Sequence, residues 1–365
     1  MSYMHKSAPT CIARTRLGPY RSTTRLPSTA TVSPPSLRSD TFGAMRYVDV
    51  GGVRLSAVGL GTWQFGSTEW GYGKDFEHDE ALRITERALD LGVNLIDTAE
   101  MYGFGRSERA VGKAIRGRRD QAFLASKIAP VFPFDPVVSS RAAGSARRLG
   151  VDRIDLYQVH WPNPVFPQDP LFRALGKLQR QGLLTHIGVS NYSLDRWKSA
   201  ERALGGTVLS NQVEFSLVQR RPERELLQWA QDNDRIIIAY SPLAQGLLSG
   251  RYTSDHRPTG LRAMRPLFLP ANLERARGLI DDLREVADKH GATPSQVALA
   301  WLIRRPNVVV IPGASSVAQL ESNVAAADIE LTDDDDARLS ASSDRFNPTA
   351  GLAALPGLVR AHLPI

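Results

Sequence analysis

Cysteines, paired histidines and long apolar runs are nearly absent from this 365-residue chain. The single cysteine, Cys11, excludes an internal disulfide and a cysteine-ligated metal, and it is typical of a reducing compartment. The seven histidines include no pair spaced one helical turn apart, so a zinc site built on one helix is not supported. No apolar run approaches the length of a membrane span. We therefore expect a cytoplasmic protein that binds neither a metal nor a membrane.

Most of the positive charge lies in one segment. The formal net charge is +7, but residues 1–44 hold six Lys and Arg residues against a single Asp. The rest of the chain is nearly neutral, so we expect no nucleic-acid partner. The basic segment is rich in Ser, Thr, Pro and Arg and has no apolar period, which predicts a disordered extension. It resembles an organelle transit peptide, or an extension upstream of a second start at Met45.

Strand-like and helix-like patterns alternate from Met45 onward. The stretch YVDVGGVRLS predicts a hairpin that turns on its two glycines. Eight short apolar runs follow: AVGLGTW, NLIDTA, AFLASKI, IDLYQVHW, HIGVSN, LSNQVEF, RIIIAYSP and VVVIPG. Helical patterns separate them, among them a single one over residues 222–233, with two in the long last gap and a final one from about Ser316. This rhythm favours an α/β fold, a (β/α)8 TIM barrel over residues 45–345 with a tail at 346–365, over an open doubly wound sheet.

The glycine-rich turns do not form a nucleotide-binding fingerprint. GFGRSE (103–108) and GLGTWQ (59–64) both lack the third glycine of the dinucleotide motif, and the chain has no GxxxxGK[ST]. A Rossmann domain and a P-loop are therefore excluded.

Four polar side chains follow successive predicted strands at their carboxyl ends. Asp97 and Tyr102 follow the second strand, Lys127 ends the third and His160 follows the fourth. In a (β/α)8 barrel the chemistry lies at these ends, and neighbouring strands are only ~4.8 Å apart. Each residue alone could be explained as an ordinary helix cap, a side chain at the rim of the barrel or a surface side chain. Their coincidence on adjacent strand ends predicts one site.

The chemistry of this set follows from charge. A tyrosine is a weak acid with a pKa of about 10, and an adjacent ammonium lowers that pKa by favouring the phenolate. Asp97 can hold Lys127 charged and aimed, while a neutral His160 can orient a carbonyl oxygen. Such a set supplies a proton and stabilises an anion during carbonyl reduction, but it supplies no electrons.

Seven motifs, in order, resemble those of the aldo-keto reductase superfamily over about residues 45–330: DTAEMYGFGRSE, ASKI, LYQVHWP, GVSNYS, SNQVEFS, AYSPLAQGLLSG and IPGASSVAQLESN. The resemblance implies reversible NAD(P)H-dependent reduction of an aldehyde or ketone on a (β/α)8 barrel. It identifies Asp97, Tyr102, Lys127 and His160 as the catalytic tetrad, with Tyr102 as the proton donor.

The resemblance also implies a cofactor site. Ser190, Asn191 and Gln212 are expected to bind the nicotinamide carboxamide, and Tyr240 to stack on its ring. The remaining expected cofactor residues close the site, wrap the pyrophosphate or line the adenosine end: Gly61, Thr62, Trp63, Ser241, Pro242, Leu243, Gly246, Leu248, Gly313, Ser315, Ser316, Gln319 and Asn323. The N–H groups that begin the last helix suit phosphate binding independently of the family.

NADPH is the cofactor expected from the resemblance. NADH is the alternative, because residues 311–323 contain no Arg or Lys to bind the 2′-phosphate of NADPH. Trp63 and Trp161 are expected to line the pocket for a small carbonyl substrate, with Trp70, Phe132 and Phe134 as further candidates. The alternative functions are a cofactor-binding regulatory or channel-associated subunit with little turnover, and a metal-dependent barrel hydrolase. No pattern indicates an oligomeric state.

Overall fold

A computed structural model of the chain describes residues 45–66, 78–349 and 351–354. The predicted extension over residues 1–44 lies outside the described residues and stays a prediction. Of the predicted tail at 346–365, only residues 346–349 and 351–354 are described. Thr349 exchanges two backbone hydrogen bonds with the Asn272 side chain, with distances of 2.9 and 2.8 Å. The beginning of the tail therefore packs against the helix that carries Asn272.

The described residues form ten strands, two in a hairpin and eight in a separate parallel sheet. The antiparallel hairpin pairs β1 (Tyr47–Val50) with β2 (Val53–Ser56). Both turn residues, Gly51 and Gly52, have positive φ, which is the geometry that a two-residue hairpin turn requires. The eight strands of the sheet are β3 (Leu60–Gly61), β4 (Leu95–Asp97), β5 (Phe123–Ile128), β6 (Ile154–Val159), β7 (Leu184–Ser190), β8 (Val208–Glu214), β9 (Ile236–Tyr240) and β10 (Val308–Val310).

The sheet closes into a barrel. Each strand from β3 to β10 pairs in parallel with the next strand along the chain. The edges at β3 and β10 meet through backbone hydrogen bonds from Gly59 N to Val310 O (2.7 Å) and from Gly61 N to Pro312 O (3.1 Å). This closure confirms the predicted (β/α)8 barrel. The hairpin residues Val50 and Leu55 pack in the same buried cluster as the interior barrel side chains, so the hairpin covers the amino-terminal end of the barrel.

Helices cover the outside of the barrel. They are α1 (His78–Asp90), α2 (Arg106–Ala114), α3 (Asp135–Leu149), α4 (Asp169–Arg180), α5 (Leu194–Leu204), α6 (Arg221–Glu225), α7 (Leu227–Asp232), α8 (Pro270–Lys289), α9 (Pro294–Ile303), α10 (Val317–Val324) and α11 (Asp333–Arg345). Their alternation with the strands leaves the carboxyl ends of β3–β10 open on one face, where loops carry the predicted site.

Two details of the helices differ from the sequence expectations. The single helix predicted across residues 222–233 is two short helices, interrupted at the buried Leu226, whose φ is −119°. Helix α11 was missed, because the helix from Ser316 was expected to be the last. A capping box marks its start, in which Thr332 and Asp335 hydrogen-bond reciprocally. The spacing of Thr332 and Asp335 is the sequence pattern that could have predicted the start of this helix.

Candidate functional site

The strand ends bring Asp97, Tyr102 and Lys127 into direct contact. The Lys127 ammonium donates to Asp97 Oδ1 at 2.5 Å, to the Thr98 carbonyl oxygen at 2.9 Å and to the Tyr102 hydroxyl at 3.0 Å. Lys127 is fully buried and Asp97 is 1% exposed. A buried charge requires such partners, because an unpaired ammonium in the interior is strongly unfavourable.

The protonation states of this cluster follow from its contacts. Burial lowers the pKa of Lys127, but attraction to Asp97 and Tyr102 outweighs it, so the pKa is raised and the ammonium stays charged. Burial raises the pKa of Tyr102, whereas the charge of Lys127 lowers it, and the net effect is upward. The sequence predicted only the lowering by Lys127. In this environment burial is the larger effect, so the phenol is held protonated at neutral pH.

His160 faces the same space as Tyr102. The centroids of the two rings lie 5.8 Å apart, in an edge-to-face arrangement. Burial, and secondarily the charge of Lys127, lowers the pKa of His160 to about 3. The imidazole is therefore neutral at pH 7. Its Nδ1 atom is buried and has no hydrogen-bond partner among the described residues, although buried polar atoms normally have one.

Two glutamines that point into the barrel hold the second oxygen of the Asp97 carboxylate. Gln212 Nε2 donates to Asp97 Oδ2 at 2.7 Å, and Gln158 Nε2 donates to the same oxygen at 3.4 Å. Gln212 was expected at the nicotinamide carboxamide, and its amide nitrogen contacts the tetrad carboxylate in this structure. Gln158 was not predicted. Its signal was a polar residue inside the apolar strand β6.

A buried hydroxyl cluster anchors the loop that carries Tyr102. Ser107 Oγ lies 2.7 Å from Thr62 Oγ1 and 2.9 Å from Thr98 Oγ1, and it donates to the Thr62 carbonyl oxygen at 2.9 Å. Thr62 in turn donates to the Asp97 carbonyl oxygen at 2.8 Å. Ser107, at the start of α2, was missed as a supporting residue. Its cluster joins the ends of β3 and β4 to the start of α2, and so anchors the loop between β4 and α2.

The predicted nicotinamide residues form a connected polar group at the ends of β7, β8 and β9. Ser190 Oγ donates to the Gln212 carbonyl oxygen at 2.8 Å, and Asn191 Nδ2 donates to Ser190 Oγ at 3.0 Å. The Tyr240 hydroxyl donates to Asn191 Oδ1 at 3.0 Å. Asn191 has a φ of 61°, a left-handed conformation that is more common for asparagine than for most residues. Its amide also lies 3.4 Å from the His160 carbonyl oxygen.

The segment after β9 has an unusual backbone. Ser241, Ala244 and Gln245 have positive φ values of 49°, 48° and 57°, and Gly246 has a φ of 98°. Strained residues of this kind cluster where a chain is shaped around a ligand. The segment contains the five predicted pyrophosphate residues, of which Pro242 and Leu248 are buried and Ser241, Leu243 and Gly246 are partly exposed.

Close backbone approaches occur at two of the predicted glycines. A Cβ at Gly61 would lie 2.6 Å from the Ile311 carbonyl oxygen, and a Cβ at Gly313 would lie 2.6 Å from Gln64 Oε1. Gln64 also donates to the Ala314 carbonyl oxygen at 2.6 Å. Gln64 therefore joins the loop after β3 to the loop after β10, a role that was not predicted from the sequence.

The predicted adenosine end lies at the start of α10. Ser316 caps the helix by accepting from Gln319 N, and Gln319 Oε1 accepts from both Ser315 N (2.8 Å) and Ser315 Oγ (3.0 Å). Asn323 is buried and donates to the Gly313 carbonyl oxygen at 3.3 Å. The expected residues are therefore adjacent in space as well as in sequence.

An apolar rim surrounds the mouth of the site. Trp63 is 42% exposed, with its ring centroid 6.4 Å from that of Tyr102, and Trp161 lies 4.9 Å from the His160 ring. The other exposed apolar side chains of the rim lie on the loops after β4, β5 and β6: Met101, Phe104, Val131, Phe132, Phe134, Val165 and Phe166. Phe132 and Phe134 are two of the further candidates from the sequence, and the third, Trp70, lies outside the described residues.

Neither a metal cluster nor a membrane span is found in the part of the chain that the structure describes. No group of three or more His, Cys, Asp and Glu residues among residues 45–66, 78–349 and 351–354 could hold a metal ion. No helix within the same ranges is long and apolar enough to cross a bilayer.

Comparison with known proteins gives a consistent result. The model of the Aldo/keto reductase family matches residues 57–344. An uncharacterized oxidoreductase of Mycobacterium tuberculosis is 50% identical over 317 residues, which cover 87% of this chain and 98% of that protein. The NADH-specific methylglyoxal reductase of Escherichia coli is 31% identical over 78% of this chain and 93% of its own length. A crystal structure of an aldo/keto reductase from Klebsiella pneumoniae in complex with NADP and acetate has 31% identity and a TM-score of 0.66, over 81% of this chain and 95% of that one.

Proposed function

This chain belongs to the aldo/keto reductase family, and from that premise we propose that it reduces an aldehyde or ketone to the alcohol, reversibly, with NAD(P)H. The observation that carries the proposal is the buried Lys127 ammonium, which donates to both the Asp97 carboxylate and the Tyr102 hydroxyl at the mouth of a (β/α)8 barrel. A charged partner at 3.0 Å from a phenol is the arrangement expected of a tyrosine that exchanges a proton with substrate.

Each tetrad residue has a distinct task. A nicotinamide held at Ser190, Asn191, Gln212 and Tyr240 would supply the hydride. Tyr102 donates the proton to the carbonyl oxygen, and its raised pKa keeps that proton available at neutral pH. Lys127 stabilises the phenolate that remains, and Asp97 keeps the ammonium charged and fixed. Neutral His160 orients the carbonyl oxygen by hydrogen bonding, consistent with a pKa of about 3.

Several features of the described residues fit a nicotinamide dinucleotide. The amide groups of Asn191 and Gln212 can exchange their present partners for a carboxamide, which offers the same donors and acceptors. Tyr240 presents its ring beside them. The left-handed stretch at Ala244–Gly246 suits a backbone that wraps a pyrophosphate. The Klebsiella structure was solved with NADP, and the Escherichia coli relative carries the name NADH-specific.

The apolar rim favours an uncharged substrate with an aromatic or aliphatic body. Asn163 joins two rim loops, because its side chain donates to the Pro130 carbonyl oxygen at 2.5 Å and accepts from Phe166 N at 2.8 Å. Phe134 and Phe166 pack edge to face, 5.8 Å apart. The arginines beneath the rim form ion pairs with Glu100 and Glu108. A charged sugar would find fewer partners here than an aromatic aldehyde.

The test compares wild-type protein with Tyr102→Phe, using methylglyoxal and benzaldehyde as substrates and following the loss of NADH or NADPH absorbance. We expect wild-type turnover and a decrease in kcat of at least about a hundredfold in the variant, the usual contribution of a general acid. Cofactor binding, followed by tryptophan fluorescence, should be retained in Tyr102→Phe. Tight binding without wild-type turnover on any carbonyl offered would support the regulatory-subunit alternative instead.

A further inference from the structure

Three backbone N–H groups in or next to the first turn of α10, those of Ser315, Val317 and Gln319, donate to acceptors of the protein. Ser315 N donates to Gln319 Oε1 at 2.8 Å, and Gln319 N donates to Ser316 Oγ at 3.2 Å. Val317 N, at the first position of the helix, donates to Glu80 Oε1 at 3.2 Å. A carboxylate from a distant part of the chain therefore stands where a helix would attract an external anion.

Glu80 reaches this position from the first turn of α1. Its other oxygen is held by Arg83, whose Nε lies at 2.9 Å, so both carboxylate oxygens have partners. The Glu80 side chain is only 22% exposed. The contact joins residues 237 positions apart, and it depends on the packing of α1 beside α10. The carboxylate is consequently a fixed negative charge rather than a freely rotating surface group.

The two arginines of α1, Arg83 and Arg87, are each paired with a carboxylate. Residues 311–323 contain no Arg or Lys but include Glu321. Arg87 on α1 pairs with Glu321 at 2.7 Å, and Arg83 pairs with Glu80 at 2.7 Å. A phosphate bound here would therefore have to compete with two carboxylates for the two nearest arginines of α1.

The 2′ substituent of the adenosine ribose distinguishes the two nicotinamide cofactors. A 2′-phosphate carries up to two negative charges and needs cations or free N–H donors. A 2′-hydroxyl is neutral and can donate a hydrogen bond to an amide or carboxylate oxygen, such as Gln319 Oε1. The arrangement around Val317 offers acceptors and a negative charge, so it matches the hydroxyl and opposes the phosphate.

We infer that Glu80 is a specificity-determining residue that makes this site prefer NADH to NADPH. The inference rests on the proposed function, because it takes the adenosine end of the cofactor to lie at residues 313–323. It reverses the preference for NADPH expected from the family resemblance alone. Its cause is a residue outside the adenosine segment, contributed by α1.

The experiment measures dissociation constants for NADH and NADPH by tryptophan quenching in wild-type protein, Glu80→Gln and Glu86→Gln. Glutamine keeps the size of Glu80 and an acceptor for Val317 N but removes the charge. Glu86 is an exposed acid on another face of the same helix, so Glu86→Gln controls for the loss of one negative charge. Because each variant is judged by the ratio of two constants, partial loss of folded protein affects both values equally.

We expect wild-type protein to bind NADH more tightly than NADPH. Removing one charge close to a doubly charged phosphate should improve NADPH binding roughly fivefold to tenfold in Glu80→Gln, with NADH binding nearly unchanged. Glu86→Gln should leave the ratio within about twofold of wild type, because the effect of an exposed distant charge is screened. A wild-type preference for NADPH, or equal ratios in the two variants, would overturn the inference but not the reductase assignment. Binding of neither cofactor would contradict the proposed function, and the inference would fall with it.

Discussion

The contributions of Asp97 and Lys127 to the free energy of unfolding should depend strongly on each other. Asp97→Asn removes the carboxylate that lies 2.5 Å from the ammonium and leaves a fully buried charge with neutral acceptors alone, among them the Thr98 carbonyl and the Tyr102 hydroxyl. Breaking a buried pair on one side costs about 3–5 kcal/mol. In Lys127→Met, the donors that remain to the Asp97 carboxylate among the described residues are the amides of Gln212 and Gln158. We expect the free energy of unfolding to fall by an amount in the same range.

Removing both charges should cost much less than the sum. In Asp97→Asn/Lys127→Met no uncompensated charge remains, and replacement of a buried ion pair by uncharged groups is often nearly neutral. The lost hydrogen bonds leave a cost of about 1–2 kcal/mol. The two single losses sum to about 6–10 kcal/mol, so the double-mutant cycle should give a coupling energy of about 4 kcal/mol or more, above the ~3 kcal/mol that residues in contact usually reach.

Urea unfolding at pH 7, followed by tryptophan fluorescence, measures these free energies by linear extrapolation. Carbonyl reduction by the same proteins separates stability from function, because the double variant should be nearly as stable as wild type and still inactive. The reasoning would be refuted if each single variant lost under about 1 kcal/mol, or if the double variant lost the sum of the two.

Two pH predictions follow from the shifted groups. Burial raises the pKa of Asp335, but hydrogen bonds from Lys289, His290 and Thr332 outweigh it and hold the pKa well below its usual range. The folded state therefore favours the carboxylate, a stabilisation that is present above the unfolded pKa of about 3.9 and is lost as pH falls below it. Asp335→Asn should cost about 1–3 kcal/mol in urea unfolding at pH 7, and an undiminished difference from wild type as pH falls from 4 towards 2 would contradict this. Because the pKa of His160 is lowered to about 3, kcat/KM should show no titration near pH 6.5 between pH 5 and 8, and a limb that disappears in His160→Gln would count against a neutral imidazole.

The tetrad could be located from the sequence because each member follows a strong, short strand pattern. Once the strands are parallel and consecutive, their ends must be neighbours, so Asp97, Lys127 and His160 converge whatever the loops do. The barrel itself follows from the same alternation of strands and helices. Its closure could be expected, but the hydrogen bond between Gly59 and Val310 could only be observed.

Long-range side-chain contacts could not be predicted in this way. The contact of Glu80 with Val317 depends on how α1 lies against α10, and no local pattern encodes it. The net shift in the pKa of Tyr102 could not be predicted either. The sequence shows Lys127, which lowers this pKa, but the extent of burial, which raises it, is a property of the fold. The break at Leu226 has no glycine or proline to mark it.

The central claim is that the protein reduces a carbonyl, with the hydride supplied by the nicotinamide cofactor and the proton supplied by Tyr102. The most direct measurement uses NADH or NADPH carrying deuterium at the transferred position, with benzaldehyde as substrate, and determines the mass of the alcohol formed. Wild-type protein should produce alcohol with one deuterium, and Tyr102→Phe, which retains cofactor binding, should produce almost none. Unlabelled alcohol, or equal labelled product from Tyr102→Phe, would contradict the mechanism.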